Sequence, residues 1–494
     1  MTRIDLSSLI KAYDVRGTVP DQLSPDVAHA IGAAFAHVVV LPAAGQTRPS
    51  AVVGHDMRES GPELVEAFAS GLTDAGVDVV RIGLCSTDGL YFASGSLGVP
   101  GAMFTASHNP AVYNGIKLCR SGARPVGQDT GLAEIRELAG DYLGDGLPEP
   151  VETEARGDLS DREMLGEYAA FLRGLVDLSA IRPLKVVVDA GNGMGGYTVP
   201  AVLGTGAGLP PLPLDVVPLY FELDGSFPNH EANPLEPANL RDLQAAVVEH
   251  DADLGLAFDG DADRCFVVDE HGDPVSPSAI TALVGLREVA KEKEADPAAR
   301  PVIIHNLITS RAVPDLLQAA GAETVRTRVG HSFIKAQMAE HRAVFGGEHS
   351  AHYYFRDFFF ADTGMLAAMH VLAALGSQPH PLSALADAYQ PYVASGEINS
   401  RVDDVAAARA RVVDAYVTQQ GAGPVTTDEL DGLTVSHWDA TPQWWFNLRA
   451  SNTEPLLRLN VEAADEDIME KVRDDVLSLV RSADDADVTT EEQA

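Results

Sequence analysis

Three observations predict an α/β protein of several domains. Three separated segments repeat one pattern: a β-branched apolar run, a polar or glycine-containing turn, a helical period and a second apolar run. At roughly 100–200 residues per domain, the 494-residue chain suggests three or four domains. Beyond Pro381 the pattern breaks into a helical stretch, short alternating strands and one amphipathic helix. Three related α/β domains followed by an α+β domain are therefore expected.

The first repeat is residues 51–83, AVVGHDMRESGPELVEAFASGLTDAGVDVVRIG. Ser60 with Glu63 reads as a capping box, Pro62 suits a first turn, and Leu64, Val65, Phe68 and Leu72 share one helical face. The second runs over residues 185–217 from KVVVDAGNGMGG, and the third over 301–330 from PVIIHNLITSR. Continuous runs such as Val186, Val187 and Val188 suit a sheet covered on both faces. Ile468, Val472, Val476 and Val480 line one face of the last helix. The expected domains are 1–155, 156–272, 273–380 and 381–485, with an acidic tail at 486–494.

Lys and Arg number 35 against 72 Asp and Glu, a net charge of −37, while 46% of residues are hydrophobic. That composition folds, and it excludes the dense basic surface needed to displace counterions from a nucleic acid or to bind an acidic membrane. Residues 31–41 are too short to span a bilayer, and the N-terminal MTRIDLSSLIKAYD lacks a long apolar run. Cys85, Cys119 and Cys265 have no metal spacing and read as reduced thiols. A cytoplasmic protein without nucleic-acid or membrane partners is expected.

Four segments carry chemistry. In GAMFTASHNPAVYNGIK, Ser107 sits in a loop between two strands, with His108 adjacent and Lys117 on the returning strand. Phosphoryl transfer needs a rigidly held hydroxyl beside cationic groups, although a locally bonded polar turn has the same composition. In LGLAFDGDADRCFVVDE, Asp259, Asp261 and Asp263 alternate after a strand, a repulsive arrangement that a hard cation relieves. An EF-hand is excluded because Arg264 stands where its loop needs glycine and strand follows; a solvated acidic turn remains the alternative. FGGEHSAHYYF alternates Glu348, Ser350 and His352, which suits either hydroxyl recognition or an ordinary polar turn. RASNTEP offers Arg449 with Ser451, Asn452 and Thr453 as anion donors, or a capping turn.

With KAYDVRG (11–17), GHDMRESG, AGNGMGG and VGHSFIK (329–335), these segments resemble the α-D-phosphohexomutase family, in its phosphomannomutase/phosphoglucomutase branch, over nearly the whole chain. The resemblance implies a four-domain architecture around a central cleft, with a mobile last domain. It implies a phosphorylated Ser107, with Ser107, Asp259, Asp261 and Asp263 holding one Mg2+. Glu348 and Ser350 would read sugar hydroxyls, while Arg449, Ser451, Asn452 and Thr453 would bind the non-reacting phosphate. Tyr13, Arg16, His108, Lys117, Arg264, His331 and His352 would line the cleft, with Lys117 and His352 as candidate proton-transfer groups. Two departures stand out: Ala351 replaces glycine in GEHSAH, and HNLITSR (305–311) lacks a lysine common in relatives.

The implied reaction interconverts mannose 6-phosphate and mannose 1-phosphate through a hexose 1,6-bisphosphate that is also an activator, with glucose phosphates as alternative substrates. A phosphoglucosamine mutase, an aspartyl phosphatase using Asp259, and a sugar-phosphate-binding protein are the alternatives. A monomer or weak homodimer is expected. The acidic balance then bears on polymeric polyanions, and a locally positive cleft can still take a small phosphate.

Overall fold

The structure, a computed structural model, describes residues 4–11, 13–45, 48–419, 424–450 and 456–482, with the backbone alone for residues 331 and 332. Its described strands form four sheets, one of seven strands and three of five.

The first three sheets are variations on one arrangement. In the first, Ser50–His55 lies between parallel neighbours Asp78–Leu84 and Gly101–Phe104, and Tyr113–Arg120 returns antiparallel beside the latter. In the second, Leu184–Asp189 lies between Leu214–Leu219 and Leu254–Phe258, followed by antiparallel Cys265–Val268. In the third, Val302–Asn306 lies between Glu323–Thr327 and Phe345–Gly347, followed by antiparallel Tyr353–Phe355. The three predicted β-α-β repeats thus form parallel pairs. The segments carrying Ser107, the aspartates and Glu348 occupy the same turn in each sheet, at the carboxyl end of the third strand of the arrangement. Open α/β sheets commonly present ligand sites at that end.

Local signals explain part of this pattern. Pro62 falls in the first turn of the helix Gly61–Asp74, and Leu64, Val65, Phe68 and Leu72 are buried. The Ser60 side chain, however, does not cap that helix; its hydroxyl accepts a hydrogen bond from Asn114 Nδ2 at 2.9 Å. A tertiary partner has replaced the expected local one. Leu159–Asp161 also joins the first sheet beside Asp78–Leu84, beyond the residue 155 at which the sequence places that domain's end. All three of its residues are exposed, so no apolar pattern marks it.

The fourth sheet is wholly antiparallel, in the order Val393–Arg401, Leu456–Ala463, Trp444–Ala450, Leu433–Ser436 and Thr426–Asp428. Helix Glu466–Arg481 packs on it through Met469, Val472, Val476 and Val480, three of the four residues expected on its buried face. This domain has its own hydrophobic cluster, whereas another cluster runs continuously from Val52 through the second sheet to the buried helix Gly364–Gly376. The first three domains consequently share apolar packing that the fourth does not.

Among the described residues, the 19-residue stretch 25–43 has the length and apolar composition to cross a membrane, with mean hydropathy 1.5. Counting only residues 31–41 underestimates it, because the helix continues through His37 and Pro42. Ile31, Ala34 and Phe35 are completely buried, and the stretch packs against Gly61–Asp74 inside the first domain. All three cysteines are free and buried.

Candidate active site

The loop after Gly101–Phe104 turns at Ser107, whose φ of +49° lies in the left-handed region. Ala262 and Ala351, in the equivalent turns of the next two sheets, have φ of +58° and +64°. A non-glycine residue held this way costs about 1–3 kcal/mol. Ala351 therefore retains the conformation that the family's glycine would favour, and it is fully buried.

The first two loops meet without intervening space. Ser107 Oγ donates to Asp259 Oδ2 at 2.9 Å, and Ser107 N–H is held by Thr105 Oγ1 at 2.9 Å. A Cβ on Gly260 would stand 2.4 Å from the Ser107 carbonyl oxygen, and one on Gly193 would stand 2.6 Å from the Gly260 carbonyl oxygen. Met194 N–H also donates to that Gly260 oxygen at 2.9 Å. The AGNGMGG turn thus supports the metal-candidate loop from behind, and glycine permits both close approaches.

Asp259, Asp261 and Asp263 are at most 1% exposed, with ligand atoms within 4.8 Å of one another. A solvated acidic turn is excluded by that burial. Lys117 Nζ bridges Asp261 Oδ2 and Asp263 Oδ2 at 2.7 and 2.6 Å, and Arg264 Nε donates to Asp259 Oδ2 at 2.9 Å. Asp261 Oδ1 and Asp263 Oδ1 are buried without a hydrogen-bond donor among the described residues. Three hard carboxylates with unsatisfied oxygens fit a divalent cation such as Mg2+.

The electrostatics follow from burial and pairing. Burial pushes Asp259 above the usual carboxylate range despite the neighbouring Arg264. Burial also opposes ionisation of Asp261, but Lys117 and the Thr87 hydroxyl hold it well below the usual carboxylate range. Desolvation works against the Lys117 ammonium, yet Asp261 and Asp263 keep it well above an ordinary lysine. Burial, then Arg264 and Arg16, lowers His108 to about 2, so its imidazole stays neutral. Its Nδ1 accepts from Arg264 Nη2 at 2.6 Å and lies 3.2 Å from Ser107 Oγ, which assigns the ring proton to Nε2. Arg16 completes this side by donating to Ala106 O at 3.2 Å and to the Asn109 side chain.

The third loop joins through a bridge between Arg264 and His352. His352 Nε2 lies 3.7 Å from Asp263, its Nδ1 lies 3.0 Å from Ser350 Oγ, and Glu348 Oε2 is 3.7 Å away. Glu348 accepts from Tyr354 OH at 2.7 Å, Gly330 N–H at 3.1 Å and Asn306 Nδ2 at 3.3 Å. Asn306 of HNLITSR therefore supports the glutamate from a segment without lysine. Tyr13 reaches the same region, edge-on to Phe333 with ring centres 6.1 Å apart.

Arg449 at the end of Trp444–Ala450 lies 3.4 Å from Glu397 and 3.8 Å from Asp431, which accepts from Val329 N–H at 3.3 Å. A chain of contacts consequently runs from Ser107 through Asp259, Arg264, His352, Glu348 and Gly330 to Val329, Asp431 and Arg449. Ser451, Asn452 and Thr453 lie outside the described residues, as does the His331 side chain.

Several participants escaped motif reading. Thr87 Oγ1 donates to Asp261 Oδ2 at 2.5 Å, and Asp88 accepts from Tyr168 and Thr363, both at 2.7 Å, thereby joining three domains. Buried Lys335 pairs with Asp362 at 2.5 Å and faces Tyr91 at 4.0 Å. Lys335 lies inside the quoted VGHSFIK, but helical spacing alone does not identify its partner.

A serine hydroxyl stands against a buried carboxylate triad where the loops of repeated α/β units meet, and together with the chain's family membership this makes the protein an intramolecular phosphotransferase of the isomerase class. The chain belongs to the phosphoglucomutase/phosphomannomutase family: alpha/beta/alpha domains I, II and III match residues 7–142, 166–272 and 277–392, and the C-terminal domain matches 397–479. It is 40% identical over 476 residues to a phosphomannomutase of Escherichia coli, covering 95% of this chain and 98% of that protein. A Xanthomonas campestris protein named for phosphohexose mutases is 40% identical over 475 residues, covering 95% and 98%. The crystal structure of a family member from Burkholderia thailandensis aligns with a TM-score of 0.81 at 30% identity, covering 97% of this chain and 98% of that one.

Proposed function

We propose that the protein interconverts mannose 6-phosphate and mannose 1-phosphate, accepts glucose phosphates as alternative substrates, and carries the transferred phosphoryl group on Ser107. The reading is carried by one observation: Ser107 Oγ lies 2.9 Å from Asp259 at the rim of a buried triad with unsatisfied oxygens. The phosphomannomutase name of the Escherichia coli relative supports mannose as the sugar.

In the forward half, the bond between Ser107 Oγ and phosphorus breaks as a bond forms from phosphorus to the free sugar hydroxyl, giving a hexose 1,6-bisphosphate. The hydroxyl proton passes to a base in the cleft, and the position of His352 beside Asp263 and Ser350 supports it in that role. Lys117, kept cationic by two aspartates, stabilises charge and protonates a departing oxygen. Arg264 holds Asp259 and neutral His108 around the serine. Asp259, Asp261 and Asp263 would hold Mg2+ with a phosphoserine oxygen, supplying Lewis-acid stabilisation of the transferring group. Reorientation brings the other phosphate to Ser107 while Arg449, with Ser451, Asn452 and Thr453, takes the first. Glu348 and Ser350 read the hydroxyls, and Tyr13, Arg16 and His331 complete the cleft. Free bisphosphate rephosphorylates Ser107 and so acts as an activator.

The test is a Ser107→Ala variant assayed with bisphosphate, together with mapping of the phosphorylated residue. Loss of turnover and acid-stable phosphate on Ser107 are expected. Wild-type turnover of the variant, or hydroxylamine-labile phosphate on Asp259, would sink the reading. Comparing kcat/KM for mannose, glucose and glucosamine 1-phosphates on one phosphorylated preparation tests the sugar preference.

A further inference from the structure

We propose that Arg58 is the positioning residue of the phosphoacceptor loop, holding Ser107 in its left-handed conformation by gathering four loop carbonyls onto one guanidinium. The inference deepens the phosphoserine reading and rests on it.

Arg58 belongs to GHDMRESG, a motif to which the proposed chemistry gives no role. Its side chain is 1% exposed, and its Nη2 donates to Ser107 O at 2.9 Å and Asn109 O at 2.7 Å. Its Nη1 donates to Pro110 O at 3.0 Å and Tyr113 O at 2.9 Å. The remaining donor, Nε, reaches Asp56 Oδ2 at 3.3 Å, while Asp56 Oδ1 accepts the Arg58 backbone N–H at 2.9 Å. A guanidinium has five N–H donors, and all five are used within the protein. None remains for a substrate phosphate, so Arg58 shapes the loop without binding the sugar phosphate.

The geometry is specific to arginine. Four carbonyls spread over residues 107–113 need a planar fork, whereas the lysine ammonium has three donors converging on one point. Asp56 is completely buried, and the Phe227 ring of the second domain covers the guanidinium at 5.2 Å. The Ser107 carbonyl is therefore fixed between Arg58 and Gly260, which aims Oγ at Asp259. Because a shift of about 1 Å at a reacting group can cost on the order of 10²-fold in rate, loosening this hold lowers kcat while leaving sugar-phosphate affinity intact.

The experiment uses the full-length protein with Mg2+ and compares wild type with Arg58→Lys. It follows Ser107 phosphorylation by glucose 1,6-bisphosphate, in which the Oγ–P bond forms as a sugar P–O bond breaks and the serine proton ends on the released sugar oxygen. The variant is expected to lose at least tenfold in phosphorylation rate and kcat, with KM within about twofold. Amide hydrogen exchange should accelerate in residues 105–113 and stay unchanged elsewhere in the first domain. A folded variant matching wild type in phosphorylation, kcat and exchange overturns the proposal. Should Arg58→Lys fail to fold, Asp56→Asn loosens the anchor and should show a smaller loss, about threefold to tenfold, with the same split between kcat and KM; an unchanged kcat and loop exchange again overturns it. If wild-type Ser107 is itself never phosphorylated, the phosphoserine reading fails, and the exchange data still decide whether Arg58 holds the loop.

Discussion

The hydroxyl of Ser107 and the carboxylate of Asp259 are 2.9 Å apart although 152 positions separate them in the chain. Their meeting depends on two equivalent turns from different sheets facing one another, with Gly260 at the point of contact. An added Cβ at Gly260 would lie 2.4 Å from the Ser107 carbonyl. Gly260→Ala should therefore separate the loops and lower kcat by about 10²-fold, measured in the coupled mutase assay. The fold should persist in circular dichroism, since the clash is confined to the loop contact.

Lys117 neutralises Asp261 and Asp263 in a site where its side chain is 14% exposed. Lys117→Met leaves two buried carboxylates uncompensated and should destabilise the protein by about 3–5 kcal/mol. Saturating Mg2+ should recover more stability in this variant than in wild type, because it replaces the missing charge. Paired thermal melts with Mg2+ and with chelator check both effects.

Asp88 ties the first domain to Tyr168 and Thr363, and burial raises its pKa to about 6 from 3.8. A folded pKa above the unfolded value means that the native state binds the extra proton between those limits. The associated stability is fully present below about pH 4 and is lost as pH rises through about 6, on the order of 3 kcal/mol at most. Asp88→Asn cannot ionise. The stability of wild type relative to this variant should therefore fall across that window and level off above it, as thermal melts from pH 4 to 8 would record.

Polar contacts between the fourth and third domains include Asp431 with Val329 N–H at 3.3 Å and Glu462 with Arg311 N–H at 2.8 Å. The fourth domain also keeps a hydrophobic cluster of its own, and inter-domain contacts of this kind permit relative motion. Asp431→Ala should weaken retention of the bisphosphate during reorientation, making turnover several-fold more dependent on added hexose 1,6-bisphosphate. Steady-state rates at graded bisphosphate concentrations test this, and a dependence equal to that of wild type would refute it.

Much of the fold was legible because its signals are local. The β-branched runs at 184–189 and 302–306 are buried on both faces, and the turns beside them mark β-α-β units. The strand Leu159–Asp161 is three residues long and exposed throughout, so it carries no apolar period to mark it. The spacing of Ser60 and Glu63 suits a cap, but spacing cannot reveal that Asn114 occupies the Ser60 hydroxyl. At the site, Ser107 and the three aspartates stand in short motifs, whereas Arg58, Thr87 and Asp88 act through partners brought near only by packing.

The sequence by itself determined the repeated units, the four chemistry-bearing segments and the family, since hydrophobic period and short motifs are properties of neighbouring residues. The excess of acidic residues bears on polymeric polyanions, while the expected cationic groups near the site, Arg16, Lys117 and Arg264, are each paired with carboxylates, Asp14, Asp261 with Asp263, and Asp259. Tertiary structure alone decided that Lys117 bridges two aspartates, that His108 is neutral and that one guanidinium holds the serine loop. Those outcomes depend on distance and desolvation between segments far apart in the chain, where burial strengthens every charge interaction and leaves each polar group in need of a partner.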